Sequence, residues 1–449
     1  MKIEEHNLKN LKKFVPFLES TSTNGLIWIG TLVLIILFGF YAFGLQISEG
    51  QIVTGMRDYV SWSLYKVNFI FFMGIGLAGA LISSVLHLAN PPWKKPIVRI
   101  SELMAIISLI IGPVYILCDV GRVDKLYNVF IHARLSSPIT WDVIAILMEL
   151  IVCSVFLYLG LIHNFAILRD YKELKVSNFR KRLYRFMAIN YQHTPEQEKH
   201  IAWSQNVLAV LVIPMGVIVY SVVAWLFGMT KQAGWDSTIF GPYFVIAAAF
   251  AGTAALIIVL AAFRKFFKLE EFITEKHFNI FGNLLLILAF FYGYLSFSEY
   301  FTKWYGYEQF NAELIAKLFD FSHYGAWFIY SNFAAMLVPL ILLGVKKWRS
   351  ITVITTAAVV VVIAIWIKCY LIIIPTLETQ HLPIQDSRPE WIHYTPSWVE
   401  IALTLSGFAT LCLFLTLASK FVTILPSSTL AEKEPEKRNH LLLNQKKWN

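Results

Sequence analysis

The sequence predicts an all-α polytopic membrane protein with ten transmembrane helices, arranged as two four-helix bundles plus two extra helices. Of its 449 residues, 57% are apolar and only 15% are charged. The apolar residues fall in runs of about 20 or more, long enough to cross a hydrocarbon layer of roughly 30 Å. Because a backbone in lipid must satisfy its own hydrogen bonds, we expect each run to be an α-helix. A short internal similarity between residues 71–82 and 243–257 favours two related bundles.

Each of the ten apolar runs is followed by a polar or basic connection. Aromatic residues make up 15% of the chain, and many Trp and Tyr residues lie near the run ends, where such side chains occupy the membrane–water interface. In chain order, the predicted spans are 24–46, 62–89, 96–119, 139–165, 201–229, 241–264, 278–302, 323–345, 351–375 and 397–421.

Lysine and arginine are distributed unevenly between the two sides that alternate connections define. One side holds 28 of these residues and the other holds 8. Because basic connections stay in the cytoplasm, we expect both termini to be cytoplasmic and the connection 120–138 to face outward, in a bacterial inner membrane. This asymmetry also accounts for the net charge of +9. Since no basic face on a soluble module accompanies that charge, the sequence predicts contact with membrane lipid and excludes nucleic acid.

Three regions follow from this topology. We expect residues 1–23 to be a cytoplasmic N-terminal segment, 24–425 to be the ten-helix transmembrane domain and 426–449 to be a cytoplasmic tail. The outward connections 303–325 and 376–398 are long and rich in aromatic residues, which favours a docking surface for another subunit.

The cysteine and histidine residues predict neither haem nor metal in this chain. The four cysteines lie singly in apolar runs, without the C-x-x-C spacing of a metal site, so we expect them to be packing residues. A haem held by two histidines needs both at one depth, and only His87 and His163 share the inner edge of the predicted spans.

The stretch 112–149 concentrates polar residues where lipid begins. One apolar run ends in Asp119 and Arg122, and the next begins at Trp141 and Asp142. An ionisable side chain in such a place is costly unless it faces a partner, water or a ligand. The residues alone leave two interpretations open: a functional site, or an interfacial ion pair between Asp119 and Arg122 that fixes a helix end.

Six short motifs resemble the NrfD/PsrC family of quinone-interacting membrane subunits, in particular its ten-span branch of HmcC/DsrP-like proteins and alternative complex III membrane subunits. The order and spacing of the motifs make their joint match more specific than any one of them. The motifs are D-V-G-R at 119–122, S-P-x-x-W at 137–141, G-W-x-x-x-I-F-G-P-Y-F-V at 234–245, F-S-E-Y-x-x-x-W-Y-G at 297–306, N-F-x-x-x-x-x-P at 332–339 and Y-x-P-S-W-x-E at 394–400.

The resemblance implies a membrane subunit that is not an enzyme by itself. Such a subunit holds no cofactor of its own and binds a quinone or quinol near the outer face, with menaquinone as the expected one. The resemblance also implies an extracytoplasmic, ferredoxin-like iron–sulfur subunit as partner, and a multihaem cytochrome c or a molybdopterin-type subunit beyond it. The expected function is to pass electrons between the quinone pool and that iron–sulfur subunit in a respiratory oxidoreductase.

Oxidation of a quinol releases two protons with two electrons, so its site needs proton acceptors and an apolar slot for the ring. Ionisable residues cluster at the outer ends of several spans and supply such acceptors. We expect Asp119 and Glu299 to be the catalytic proton acceptors. The residues expected to bind the quinone, besides Asp119 itself, are Tyr115, Arg122, Asp142, Tyr292, His323 and Glu400.

Ionisable residues also extend inward from this cluster and predict a proton path through His87, Glu102, Glu149 and Asp142. A carboxylate at the bilayer centre costs on the order of 3 kcal/mol to insert, so Glu149 needs a proton, a partner or water. Proton conduction stands beside a second hypothesis, in which these residues only make buried hydrogen bonds between helices.

Two other functions remain open on the sequence alone. A secondary transporter or ion-conducting protein would bind its substrate through intramembrane charges, but we would expect those charges at the midplane rather than at the outer edge. A purely structural anchor would tether extracytoplasmic subunits without binding a quinone, and inhibition by quinone analogues would separate it from the first function.

Overall fold

The computed structural model describes residues 18–171, 173–379 and 393–421. The predicted N-terminal segment lies outside the described residues except for 18–23. The predicted tail 426–449 and the middle of the outward connection 376–398 also lie outside them.

Ten helices in the described ranges are long and apolar enough to cross a membrane, which confirms the predicted number. No strand occurs in those ranges. The helices are α1 Thr23–Glu49, α2 Leu64–Ala89, α3 Lys95–Asp119, α4 Pro138–Asp170, α5 Pro195–Gly228, α6 Phe240–Phe266, α7 Glu275–Gly306, α8 Gly325–Gly344, α9 Ile351–Leu377 and α10 Trp398–Phe421.

Short helices lie in the connections at both ends of the molecule. We call the end that holds the connection 120–137 the hairpin end, and the end where α1 begins and α10 finishes the termini end. The short α-helices are Asn128–Ile131, Asn178–Met187 and Gln309–Phe319, and the 3-10 turns are Gln51–Val53, Val123–Lys125 and Lys346–Trp348.

Hydroxyl side chains cap the starts of several membrane helices. In α1, for example, the Ser22 hydroxyl accepts a hydrogen bond of 3.2 Å from the Gly25 N–H, and in α9 the Ser350 hydroxyl accepts one of 3.2 Å from the Val353 N–H. Such caps satisfy first-turn N–H groups that have no partner within the helix. The same arrangement begins α2 at Ser63 and α5 at Thr194.

The helices form two four-helix bundles and a pair, as predicted. In bundle one, α2, α3, α4 and α5 contact one another in a ring, and in bundle two α6, α7, α8 and α9 do the same. Helices α1 and α10 pack together and lie against α3 and α2. Burial agrees with this arrangement. The most apolar window of the inner helix α2 is 78% buried, whereas that of the outer helix α1 is 17% buried. Helix α1 therefore presents most of its apolar surface to lipid.

The two bundles meet along α2 and α6, the helices that carry the internal sequence similarity. A Cβ atom on Gly252 would collide with the Cβ atom of Ala78, and one on Gly74 would lie 3.3 Å from that of Ala248. Small residues thus face each other in reciprocal places and let the two backbones approach closely. This reciprocity supports a relation of the bundles about an axis along the membrane normal.

Helix α8 contains a π-helical turn at Tyr330–Ala334. Such turns occur often at functional sites, because the extra residue re-aims nearby side chains and carbonyl groups. Here the Ser331 carbonyl accepts a hydrogen bond of 3.0 Å from the Tyr292 hydroxyl, and the Asn332 Oδ1 lies 3.5 Å from the Lys368 Nζ. The turn therefore helps to build the polar centre of bundle two.

Candidate functional site

Lys66 in the first turn of α2 and Asp119 at the end of α3 form an ion pair at the hairpin end. The Lys66 Nζ lies 3.2 Å from the Asp119 Oδ2, and the two side chains are 18% and 9% exposed. The other oxygen, Asp119 Oδ1, has no hydrogen-bond partner among the described residues. The ion pair that the sequence allowed with Arg122 does not form, because Arg122 pairs with Asp124 at 2.9 Å.

Asp142 in the first turns of α4 is buried near this ion pair. Its Oδ1 has no hydrogen-bond partner in the part of the chain that the structure describes, and Lys66 is near enough to act on it electrostatically. We call Lys66, Asp119 and Asp142 the bundle-one cluster. The Lys66 ammonium also lies 5.0 Å from the ring centre of Trp62, which stacks on Trp235 at 5.4 Å. The cluster thus joins one cation, two acids and an aromatic wall.

Glutamine side chains hold the last carbonyl groups of α3. Gln46 donates to the Cys118 carbonyl at 2.7 Å, and Gln51 donates to the Cys118 and Asp119 carbonyls at 3.3 Å each. Gly121 has a φ of +69°, and a Cβ atom on it would lie 3.0 Å from the Gln51 Nε2. The D-V-G-R motif therefore has glycine at this position for two reasons: it adopts the positive φ, and it leaves space for the Gln51 side chain. Together these contacts fix the depth of Asp119.

Glu400 of the Y-x-P-S-W-x-E motif is fully buried and already bonded through both oxygens. One oxygen accepts hydrogen bonds from the Gly55 and Ser397 N–H groups at 2.7 and 2.8 Å, and the other accepts one from the Tyr394 hydroxyl at 2.6 Å. All three partners are donors, which suits a carboxylate. Burial and the Glu400 charge raise the pKa of Tyr394 above its ordinary value, so this phenol stays a donor. Glu400 therefore ties the segment that contains Gly55 and the connection before α10 to the first turn of α10.

Glu299 of α7 lies at the centre of bundle two between two lysines. Its Oε1 is 3.1 Å from the Lys303 Nζ and its Oε2 is 3.6 Å from the Lys368 Nζ. The Glu299 and Lys368 side chains are 3% and 1% exposed. Lys368 also donates to the Tyr300 hydroxyl, and Lys303 donates to the Gly234 carbonyl at 2.6 Å. We call Glu299, Lys303 and Lys368 the bundle-two cluster.

Tyrosine rings close the bundle-two cluster toward the centre of the molecule. Tyr292 and Tyr243 stack at 5.7 Å, and the Tyr243 hydroxyl lies 2.9 Å from the Ser296 hydroxyl. The Lys368 ammonium lies 5.2 Å from the Tyr243 ring centre and 4.2 Å from that of Tyr300. Such contacts stabilise a desolvated cation. Tyr292, a predicted quinone contact, is fully buried here.

Two cavities adjoin the bundle-two cluster, and both are small. One lies between the bundles beside Tyr220, Tyr243 and Lys368, with about 20 Å³ open to water, and the other lies beside Glu299 and Lys303, with about 10 Å³. A water molecule needs roughly 10–15 Å³ on this measure, and ligand pockets begin near 300 Å³. Neither cavity accommodates a quinone ring in this arrangement.

The predicted proton-path residues all lie in bundle one. Glu149 is 1% exposed, and neither of its carboxyl oxygens has a hydrogen-bond partner within the described ranges. A Cβ atom on Gly216 of α5 would lie 3.3 Å from the Glu149 Oε1. Glu102 instead pairs with Arg99 at 3.0 Å, and the His87 Nε2 lies 3.1 Å from the Asn206 Oδ1. Glu149 is therefore the member with both carboxyl oxygens unsatisfied, whereas Asp142 leaves one such oxygen.

Three predicted quinone contacts lie away from the two clusters. Arg122, with a side chain 66% exposed, is at the surface with Asp124. His323 is exposed in the turn before α8, where Asp320 and Ser322 bond its Nδ1 at 2.8 and 2.9 Å. Tyr115 is buried, and its hydroxyl donates to the Leu403 carbonyl of α10 at 3.1 Å.

Residues 52–380 match the family model described as polysulphide reductase, NrfD. The chain belongs to the NrfD family. The match confirms the resemblance that the motifs indicate, and its limits follow the architecture, since 52–380 contains α2 to α9 and therefore both bundles. Both clusters lie inside the matched range, whereas Glu400 and the α10 helix lie beyond it.

Relatives of this NrfD-family chain include named membrane subunits. A protein of Halobacterium salinarum that is provisionally named as a membrane subunit of dimethyl sulfoxide reductase is 27% identical over 77% of this chain and 76% of its own length. The menaquinone reductase integral membrane subunit of Nitratidesulfovibrio vulgaris is 21% identical over 89% and 92%. A selenate reductase subunit of Mesobacillus selenatarsenatis is 22% identical over 53% and 56%.

Sequence reasoning missed several residues that build these NrfD-family clusters. In the sequence, Lys303 enters only the count of basic residues on the outward side. In the structure it lies nearer to Glu299 than Lys368 does, at 3.1 Å against 3.6 Å. Gln46 is a polar residue near the end of the largely apolar helix α1, and this position is a signal that the sequence does offer. Its partner Tyr65 donates to the Gln46 Oε1 at 2.6 Å, which no sequence signal indicates.

Proposed function

We propose that this chain is the quinone-interacting membrane subunit of a multi-subunit oxidoreductase, and that the quinone head group binds at the bundle-one cluster. One observation carries the choice of site: Lys66 lies near two carboxyl groups, Asp119 and Asp142, each of which keeps one buried oxygen without a hydrogen-bond partner among the described residues. Relatives named as subunits of menaquinone and selenate reductases support the quinone and the complex.

The chemistry of the cluster suits a quinol. Its oxidation yields a quinone, two protons and two electrons. Asp119 accepts the first proton through its free oxygen while Lys66 holds the other oxygen in place, and Asp142 is the second acceptor. Glu299 is a weaker choice because lysines lie against both of its oxygens. The electrons leave to a redox centre in a partner protein.

The open side of the bundle-one cluster lies at Lys66 and Trp62, which are both partly exposed. An aromatic ring beside a cation offers a stacking surface and a hydrogen-bond donor to a quinone head group. We place the head group there and not in the bundle-two cavities, which are too small for a ring. Menaquinone is the quinone that the relatives' names favour.

The partner that fits the hairpin end is an extracytoplasmic, ferredoxin-like iron–sulfur subunit, with a multihaem cytochrome c or a molybdopterin-type subunit beyond it. The 28-to-8 distribution of basic residues favours an outward position for this end and cytoplasmic termini in a bacterium. Large apolar side chains stand exposed on its connections and helix ends and suit a docking surface. They include Tyr127, Phe130, Ile131, Leu135, Tyr305, Tyr307 and Phe321.

Proton conduction is a second proposed activity, and Glu149 is the observation that favours it. A buried carboxyl group without a partner costs on the order of 3 kcal/mol at this depth unless it binds a proton or water. Glu149 lies two helical turns from Asp142 on α4, and Cys153 lies near both Glu149 and Glu102. A transient water chain along this face would connect the bundle-one cluster to the termini end.

A secondary transporter is the alternative function. It is not favoured, because the bundle-one and bundle-two clusters lie toward the hairpin end and the named relatives are subunits of reductases.

The deciding experiment replaces Asp119 by Asn in the intact complex and measures quinol oxidation. Loss of a positioned proton acceptor lowers turnover about 100-fold or more. Asp124→Asn is the matched control, because Asp124 is an exposed carboxylate five residues further along. Co-purification of the partner subunits verifies assembly in both variants. Normal turnover of a correctly assembled Asp119→Asn complex would exclude this site.

A further inference from the structure

A cluster of three metal-binding side chains lies at the termini end of bundle one, away from both clusters described above. His163 comes from the last third of α4, His193 from the connection before α5, and Glu198 from the first turns of α5. One ligand atom from each lies within 4.8 Å of the other two. Their spacing of 30 and 5 residues forms no recognisable motif, so only the fold brings them together.

The two imidazole rings are held close to each other. Their centres lie 4.6 Å apart with the planes at 89°. Tyr191, itself buried, packs against His193 at 4.7 Å, and the Arg169 guanidinium donates to the Tyr191 carbonyl at 3.0 Å. His193 has a φ of +55°, a conformation that costs free energy for a residue with a Cβ atom. The backbone is thus strained at the residue that brings its ring to His163.

Within the described parts of the chain, neither imidazole makes a hydrogen bond, and the Glu198 carboxylate makes none either. All three side chains therefore keep their ligand atoms free. Two imidazole nitrogens and one carboxylate oxygen form a donor set that zinc prefers, with water in the fourth position.

We propose that His163, His193 and Glu198 form a binding site for a divalent transition-metal ion, with Zn²⁺ as the best match. Ligand atoms of a tetrahedral zinc site lie roughly 3.3 Å apart, and the three ligand atoms here lie within 4.8 Å of one another, so at most a modest approach is required. His193 lies on a connection and Glu198 is exposed on the first turns of its helix, so these two side chains can close onto His163. The bound ion would tie the connection 188–194 to α4. This revises the expectation that the chain binds no metal.

The test uses the full-length chain in lipid nanodiscs, with any affinity tag removed, and Zn²⁺ itself as the probe. After a wash with EDTA, the protein is exposed to micromolar Zn²⁺, separated from free ion and analysed for zinc per chain. We expect one tightly held zinc ion in the wild type. His193→Gly, which suits the positive φ, and Glu198→Gln are each expected to lower the zinc content at least tenfold.

His200→Ala is the matched control, because His200 lies on the same helix as Glu198 and is exposed. It is expected to retain the ion. Co²⁺ provides a second readout, since tetrahedral coordination gives intense visible absorption that His193→Gly would abolish. The proposal is overturned if the wild type retains no zinc, or if a folded His193→Gly variant, verified by its melting temperature, retains as much as the wild type.

Discussion

The Lys66 ammonium lies 3.2 Å from the Asp119 carboxylate and contacts only one of its two oxygens. The other oxygen is buried and has no hydrogen-bond partner in the described ranges. An ion pair therefore holds this side chain in place while one acceptor atom stays free. Glu299 also keeps one buried oxygen without a hydrogen-bond partner in these ranges, but that oxygen lies 3.6 Å from a second lysine, Lys368, which distinguishes it from Asp119.

Replacement of Lys66 by Met is expected to reduce quinol oxidation without affecting assembly. Lys66 orients the Asp119 carboxylate. If its loss raises the activation free energy by roughly 1.4 kcal/mol, the rate falls about tenfold. Because both residues act on one proton transfer, the Lys66→Met and Asp119→Asn effects should not add, and the double variant should match Asp119→Asn alone. Steady-state kcat and KM measure this, with the exposed Lys125→Met as control. Strictly additive losses would contradict a shared role.

Removing Glu299 is expected to destabilise the fold more than removing Lys368. Glu299→Gln leaves two buried lysines without a counter-ion, and breaking a buried ion pair in this way costs about 3–5 kcal/mol. Lys368→Met leaves Glu299 paired with Lys303 at 3.1 Å, so the cost should be smaller. Unfolding in mixed micelles with increasing SDS measures both. Arg122→Gln, at an exposed pair, should leave the unfolding curve unchanged, and the opposite order of the two variants would contradict this account.

Replacement of Glu149 by Gln tests proton conduction separately from quinol chemistry. Glutamine keeps the size and burial of the side chain but cannot take up a proton. We expect electron transfer to continue while the ratio of protons moved to electrons transferred falls. Proteoliposomes with an internal pH dye and an electron acceptor measure both quantities together. The exposed Glu173→Gln is the control, and an unchanged ratio with intact electron transfer would remove Glu149 from any proton path.

Gly252 should not tolerate even one extra carbon. Its Cβ atom would collide with that of Ala78 across the seam of the two bundles. Overpacking of this kind typically costs 1–3 kcal/mol, so we expect about that loss of stability for Gly252→Ala. Gly44→Ala is the matched control, because nothing lies within 4 Å of the Cβ position on Gly44. Thermal unfolding in nanodiscs compares them, and equal melting temperatures would show that the seam can shift.

The sequence predicted the number of helices and their bundling because the signals were long and local. Ten apolar runs define ten helices, and small residues repeated in 71–82 and 243–257 identify the helices that meet at the centre. The order of helices around each ring decides which charges meet. That order separates Asp119 in bundle one from Glu299 in bundle two, although the sequence placed them in one site.

The partners of the site residues could not be predicted, because they depend on packing between helices far apart in the chain. Lys368 contacts Glu299 from 69 positions away, beside a π-helical turn of α8 that the composition does not indicate. His163 and His193 meet only because the intervening connection folds back on α4. Local patterns thus located the polar residues, and the tertiary fold decided what each of them contacts.

The segment that follows α1 links three parts of the molecule with very few residues. Gln51 binds the final carbonyls of α3, and four positions later the Gly55 N–H rests on the Glu400 carboxylate at the head of α10. A protein that binds to this segment would displace Gln51 and, through its hydrogen bonds, Asp119. Binding of an outer subunit would then be coupled to the position of the Asp119 carboxylate. A membrane subunit without that partner would be less active.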